Sequence, residues 1–141
     1  MKNLIAKSQV TIQASIDKVW DALVNPETIK KYMFGTDVIS DWKEGSQIHW
    51  KGEMNGRPYE DKGVILQFKP KTKLEYTHFS PMAGLPDVPE NYHKITIDLS
   101  KQDMQTGVML LQDNNNTEEA KEHSEKNWDA MLTSLKKLLE N

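Results

Sequence analysis

The feature that most constrains this chain lies at its end. Trp128, Met131, Leu132, Leu135, Leu138 and Leu139 recur at intervals of three and four residues, the stripe of a helix that buries one face. Thr117–Asn141 reads as one helix, about 36 Å long if fully formed. Much of what precedes it alternates with the period of strands. A lone striped helix cannot bury its own face, so a sheet has to cover it. The expected class is therefore α+β, an antiparallel sheet packed on a C-terminal helix. The first half of that helix is different. Between Thr117 and Asn127 only Ala120 is apolar, and Glu122–Lys126 has the favourable i, i+4 order. That half either borders an unfilled space or stands in solvent.

The remaining elements follow from local signals. Lys2–Ala14 reads as a strand, with Val10, Ile12 and Ala14 alternating against Gln9, Thr11 and Gln13. Ser15 is a helix cap, and Ile16, Val19, Trp20, Leu23 and Val24 follow at helical spacing. Asn25 precedes Pro26 and must leave the α region. Asn25–Pro26–Glu27 then starts a second short helix with Ile29, Tyr32 and Met33 on its apolar side, and Gly35 ends it. A strand opened by Gly45 carries Ile48, Trp50 and Met54, and Asn55–Gly56 is a hairpin turn. The partner strand runs from Tyr59 to Phe68, with Gly63 marking a bulge or a close approach. After the turn Pro70–Lys71–Thr72, Leu74, Tyr76 and His78 alternate. Ile95, Ile97 and Leu99 form another strand, paired with one through Val108 and Leu110. Asn116 and Glu119 have the spacing of a capping box for the last helix. Pro81–Glu90 interrupts the pattern with Pro81, Pro86, Pro89 and Gly84, yet holds Met82, Leu85 and Val88. Apolar side chains on such a loop are expected to cover something.

Composition narrows the chemistry. The chain has 141 residues and no cysteine, which excludes disulfides, thiolate metal sites and a cysteine nucleophile. One domain spanning 1–141 is expected at this length. A net charge of −3 without clustered Lys and Arg gives no nucleic-acid surface. MKNLIAKSQV lacks the apolar core of a signal peptide, and no stretch approaches the ~20 apolar residues of a membrane span. The last helix carries both charge signs, unlike a basic interfacial helix. A cytoplasmic location is the expectation. The glycines are scattered, so no phosphate-cradling loop and no cofactor is called for. His49, His78, His93 and His123 have no metal-ligand spacing, and no Gly-x-Ser-x-Gly is present. Glu60–Asp61 follows Pro58 in a strand, where one of the two carboxylates points inward and is a candidate base.

Several segments together resemble a known family. VTIQASIDKVWDALVNPETIKKYMFG, with Val19–Trp20, Ala22–Leu23 and Asn25–Pro26–Glu27, is similar to the opening of the helix-grip SRPBCC (START-like) superfamily. The branch it resembles is the activator of the heat-shock-protein-90 ATPase. Asp41–Trp42–Lys43–Glu44–Gly45, Gly63, Pro70 and Leu74–Glu75–Tyr76–Thr77 match its middle. Asn127–Trp128–Asp129–Ala130–Met131–Leu132 through Leu135–Lys136 resembles its closing Gly-Trp-x-x-x-Leu-x-x-Leu. The departures are Lys31–Tyr32–Met33–Phe34 where the family often has Trp, Asn127 for Gly, Gln67 for Glu, and Gln112 for His. The resemblance implies a curved antiparallel sheet wrapped around the long C-terminal helix, with two short helices after the first strand and a cavity between sheet and helix.

Strand parity supplies that cavity's expected lining. Ile48 inward brings Trp50 inward, Leu74 brings Tyr76 and His78, and Ile95 with Ile97 brings His93. Trp128, Met131 and Leu135 close the space from the helix, and Tyr32, Phe34, Met82 and Leu85 are placed over the entrance. The aromatic and Met content fits an apolar ligand pocket; close packing of the same side chains into a filled core is the competing reading. The expected function is non-catalytic binding of a small hydrophobic molecule. The resemblance implies two alternatives. One is a stress-related co-chaperone role with a chaperone partner. The other is a cyclase or dehydratase using His78, Tyr76 and Glu60. An exposed edge strand leaves pairing with a second copy open.

Overall fold

Ser15 makes the first change of direction. In the computed structural model, which describes residues 4–140, its side chain accepts a bond from the Lys18 N–H and caps the helix that follows. Strand β1 (Leu4–Ile12) precedes that helix, α1 (Ile16–Val24), and α2 (Pro26–Tyr32) follows it. Then come β2 (Asp37–Ser40), β3 (Gln47–Met54), β4 (Arg57–Lys69), β5 (Lys73–His78), β6 (His93–Gln102) and β7 (Gln105–Asn115). The chain closes with α3 (Glu118–Glu140). Lys2 and Asn141, at the ends of the expected first strand and last helix, lie outside the described residues.

The seven strands form one curved antiparallel sheet in the order β1-β7-β6-β5-β4-β3-β2. The first strand pairs with the last, Leu4 opposite Asn115 and Ile12 opposite Thr106. Helix α3 lies in the concavity of the sheet, a helix-grip arrangement. Its buried residues are Met131, Leu132, Leu135 and Leu139, and they meet Ile12, Val19, Ile97, Val108 and Leu110 in one apolar cluster. The free side of β1 is closed by polar side chains of the same helix. Glu125 accepts from the Lys7 N–H at 2.9 Å, Glu140 from the Gln13 N–H at 2.8 Å, and Lys136 donates to the Thr11 carbonyl at 2.6 Å. Ser8 also donates to Asp129.

Local departures from expectation have physical causes. β1 stops at Ile12, because the Ala14 N–H turns back to the Ile12 carbonyl at 2.9 Å. β2 gave no sequence signal: four residues are too few to display a period. β3 begins at Gln47; Gly45 instead adopts φ +88°, a left-handed turn residue. At Gly63 a β-carbon would stand 1.7 Å from the Thr77 carbonyl oxygen, so the close approach accounts for the glycine. The bulge of β4 lies further on, between Ile65 and Gln67. Thr117 caps α3, its hydroxyl accepting from the Ala120 N–H at 3.0 Å; Asn116 does not serve. The proline-rich loop contains two 3-10 turns, Pro81–Ala83 and Pro89–Asn91. It covers Phe79, which is buried and stacks on Tyr92 with centroids 5.0 Å apart.

Candidate functional site

Parity along the strands decides what faces α3. Trp50 of β3 shares a rung with Asp61 of β4, Tyr76 of β5 with Ile95 of β6, and His78 with His93. All of these point to the concave side, and they stand at two levels.

The deep level is closed. Trp50 and Tyr76 are buried, their rings 5.2 Å apart. With Leu23, Ile29, Leu74 and Met131 they surround a void of only about 30 Å³, no more than the volume of one water in the liquid. Tyr32 belongs to this level too. It is buried and donates its hydroxyl to the Ala22 carbonyl at 2.8 Å, so it does not stand over an entrance. Burial raises the ionisation of both tyrosine hydroxyls far above the ordinary phenol range, with the nearby Tyr76 adding to the effect at Tyr32. Leu135 is fully buried in the packed core.

The upper level is open. A cleft of about 330 Å³ lies between α3, the α2–β2 connection and the ends of β5 to β7. Met33, Phe34, Trp128 and Met131 form its apolar walls, and His78 and His93 stand side by side on its sheet wall. Ser124, Asn127, Trp128 and Met131 repeat at helical spacing, so one face of the polar half of α3 borders the opening. Phe34 sits at the mouth with φ +56° and 74% of its surface exposed.

Behind this cleft runs a hydrogen-bonded network. The Trp128 indole can only donate, and its Nε1–H bonds Gln112 Oε1 at 2.5 Å. That fixes the Gln112 amide, whose Nε2 then faces Ser124 Oγ at 3.3 Å, Asn115 Oδ1 at 3.4 Å and His93 Nδ1 at 3.3 Å. Ser124 in turn donates to Asn115 Oδ1 at 3.1 Å. Gln112 and Asn115 are both buried, so each bond replaces one lost to water. His93 Nδ1 lies closest to the Asp113 carbonyl, at 2.9 Å. His78 Nε2 lies 2.9 Å from Asp61 Oδ2, and its ring meets Trp50 edge-on at 5.0 Å.

Four of the expected lining residues, His78, His93, Trp128 and Met131, therefore come together on the open cleft. Trp50 and Tyr76 form its closed floor, and Leu135 lies in the core beyond. Met82 and Leu85 do not cover the entrance. Both are about half exposed, and Leu85 borders a separate hollow with Phe79, Lys62 and Asp87 on the outer side of the sheet. Of the two carboxylates weighed as bases, Asp61 faces inward, whereas Glu60 points outward to His49 at 3.0 Å. Gln112 emerges as the centre of the polar network. Its only signal in the sequence was its departure from the family's histidine. Gln67 lies on the outer face, bonded to Glu75 at 3.0 Å. A larger hollow of about 490 Å³ also lies on that face, between Gln9, Thr11, Asp98, Ser100 and Met109. It has no aromatic wall, so volume alone does not make it the better site.

Among the described residues no group of three or more His, Asp or Glu side chains is placed to hold a metal ion, and no helix is long and apolar enough to cross a membrane.

Comparison with known proteins places the chain among its relatives. The sequence model of the family described as "Activator of Hsp90 ATPase homolog 1-like protein" matches residues 13–140. The solution structure of ChR145 from Cytophaga hutchinsonii is 60% identical, with a TM-score of 0.88 over 100% of this chain and 97% of that one. The solution structure of the Aha1 dimer from Colwellia psychrerythraea shares 24% identity and the fold, with a TM-score of 0.75 over 97% of this chain and 96% of that one. CalU16 from Micromonospora echinospora, at 18% identity, superposes with a TM-score of 0.74 over 99% of this chain and 87% of that one. No curated protein matches the sequence.

Proposed function

This chain belongs to the family of Activator of Hsp90 ATPase homolog 1-like proteins, and on that premise we propose that it is a non-catalytic binding domain whose cleft holds a small, largely apolar molecule against α3. The observation that carries this reading is the contrast between the two levels of the interior. Below Trp50 and Tyr76 the side chains close to about 30 Å³, while above them about 330 Å³ stays open. The open part is walled by Met33 and Met131 and by the rings of Phe34, Tyr59 and Trp128. Methionine adapts its shape to an apolar guest and aromatic faces supply large contact area at low entropic cost. The volume is at the lower end of the ~300–1,000 Å³ range of ligand pockets, which suits a molecule of one or two rings.

Native mass spectrometry of the protein purified from its own host tests the reading. The expected result is a bound small molecule that is lost in a Met131→Trp variant, where an indole fills the cleft. A protein that carries nothing in both forms, and whose Trp128 fluorescence responds to no apolar compound, overturns it.

The family match supports a second reading, interaction with a chaperone ATPase. Stimulation of the matching chaperone's ATPase by the purified protein would favour it. Retention of that stimulation in Met131→Trp would place the contact outside the cleft.

A further inference from the structure

We propose, building on the reading of the cleft as a binding site, that its ligand presents a hydrogen-bond-donating head, a hydroxyl or an amine, and not a carboxylate. The argument is an account of where each proton in the cleft wall goes. Thr36 donates its hydroxyl to the Met33 carbonyl at 2.8 Å, so the 2.8 Å bond between Thr36 and Tyr59 is donated by Tyr59. Ser124 donates to Asn115, and the Trp128 indole donates to Gln112. The Gln112 amide has two N–H for three neighbours, Ser124, Asn115 and His93 Nδ1; because Nδ1 lies closer to the Asp113 carbonyl, at 2.9 Å against 3.3 Å, the two amide protons go to Ser124 and Asn115. The carboxylate of Asp61 can only accept, so the proton of neutral His78 is on Nε2. The Asp113 carbonyl can likewise only accept, which places the proton of neutral His93 on Nδ1.

Every side-chain hydroxyl and ring N–H on the wall is thereby committed within the protein. What remains on offer is a set of lone pairs: His78 Nδ1, His93 Nε2 and the oxygens of Tyr59 and Ser124. Among the described residues only Asn127, exposed at the rim, brings an amide with no partner assigned. The two imidazoles occupy one rung of the β5–β6 ladder, where facing Cβ atoms are about 4.5–5.5 Å apart. Two acceptors side by side on one rung suit one head carrying one or two protons.

Charge points the same way. Asp61 stands behind His78, and its second oxygen, Oδ1, is buried with no hydrogen-bond partner among the described residues. A carboxylate placed against these lone pairs would find no donor and would face that charge. The apolar walls of Met33, Phe34, Trp128 and Met131 then take the body of the ligand.

The test uses three probes with one apolar body, 3-phenylpropanol, 3-phenylpropylamine and 3-phenylpropanoate, compared at one mildly alkaline pH. Binding is followed by the chemical shifts of the Trp128 indole Nε1–H and the His78 and His93 rings. The alcohol or the amine is expected to bind at least about tenfold more tightly than the carboxylate, and the two arms tell which donor is preferred. His78→Gln puts N–H donors at the same place and is expected to bring the carboxylate to within about twofold of the alcohol. If that variant does not fold, as judged by the dispersion of the Trp128 resonance, His93→Gln repeats the test on the same rung. Tightest binding by the carboxylate in the wild-type protein overturns the inference and leaves the binding reading standing. Failure of all three probes to move any cleft resonance overturns both.

Discussion

A β-carbon at Gly63 would collide with backbone, the Thr77 carbonyl oxygen, and not with a side chain able to turn away. The neighbouring bonds fix that backbone: Lys62 and Phe79 exchange two bonds, at 3.0 and 2.8 Å. Gly63→Ala is therefore expected to destabilise the fold by at least about 1–3 kcal/mol, the usual cost of overpacking. Gly56 is the control. It needs its positive φ of 78° but has open space around it, so Gly56→Ala is expected to cost only about 1 kcal/mol. Urea denaturation of both variants checks the order; equal midpoints would show that β4 and β5 can separate at little cost. The same residue sits next to the site, because His78 follows Thr77. Gly63 thus brings β5 close enough to β4 for His78 to reach Asp61.

Among the elements, α3 and β1 depend on each other most directly. An edge strand presents unpaired N–H and carbonyl groups; β1 hands two of them, at Lys7 and Thr11, to Glu125 and Lys136, and Gln13 just past its end hands its N–H to Glu140. The carboxyl of Glu140 is held below the usual carboxylate range, first by the Lys136 ammonium and then by the Gln13 N–H. Its share of that contact is present above the ordinary glutamate range and is lost as pH falls through the lowered value. Lys136→Ala with Glu140→Ala is expected to speed hydrogen exchange at the Gln13 amide by about tenfold or more while leaving the β6–β7 amides protected. Unchanged exchange at Gln13 would show that packing alone holds the edge.

These contacts also show what the sequence disclosed about the elements. The apolar stripe of α3 was legible because burial on one face leaves a period. Its polar contacts were not, because Glu125, Lys136 and Glu140 read as solvated charge until the strand beside them is known. β2 was too short for a pattern. The cleft was half legible: parity placed His78 and His93 side by side. Parity cannot say whether Trp50 and Tyr76 touch, and their contact is what closes the floor. Gln112 was legible only as an oddity, since its role depends on an indole sixteen residues away.

Taken as a whole molecule, the protein buries two phenols that must stay protonated. Tyr32 and Tyr76 have their ionisation raised by burial. A group whose folded value lies above its unfolded value of about 10 stabilises fully below that pH and progressively less above it. Stability is therefore expected to fall as pH rises past about 10. Tyrosinate absorbance from these two rings should appear together with loss of the near-ultraviolet circular dichroism signal. Their ionisation in a still-folded protein would mean that the closed floor opens readily.

The pairing of the first strand with the last has a consequence in time. Leu4 waits for Asn115 and Ile12 for Thr106. At a synthesis rate of about 5–20 residues per second, β1 spends some 5–20 seconds without its partner. During that interval it is an unpaired strand bearing Ile5, Val10 and Ile12, and the acids and the lysine that shield its other side are made later still. The sheet cannot be completed before β7 has been made, so the growing chain carries an exposed strand edge for the whole of that interval.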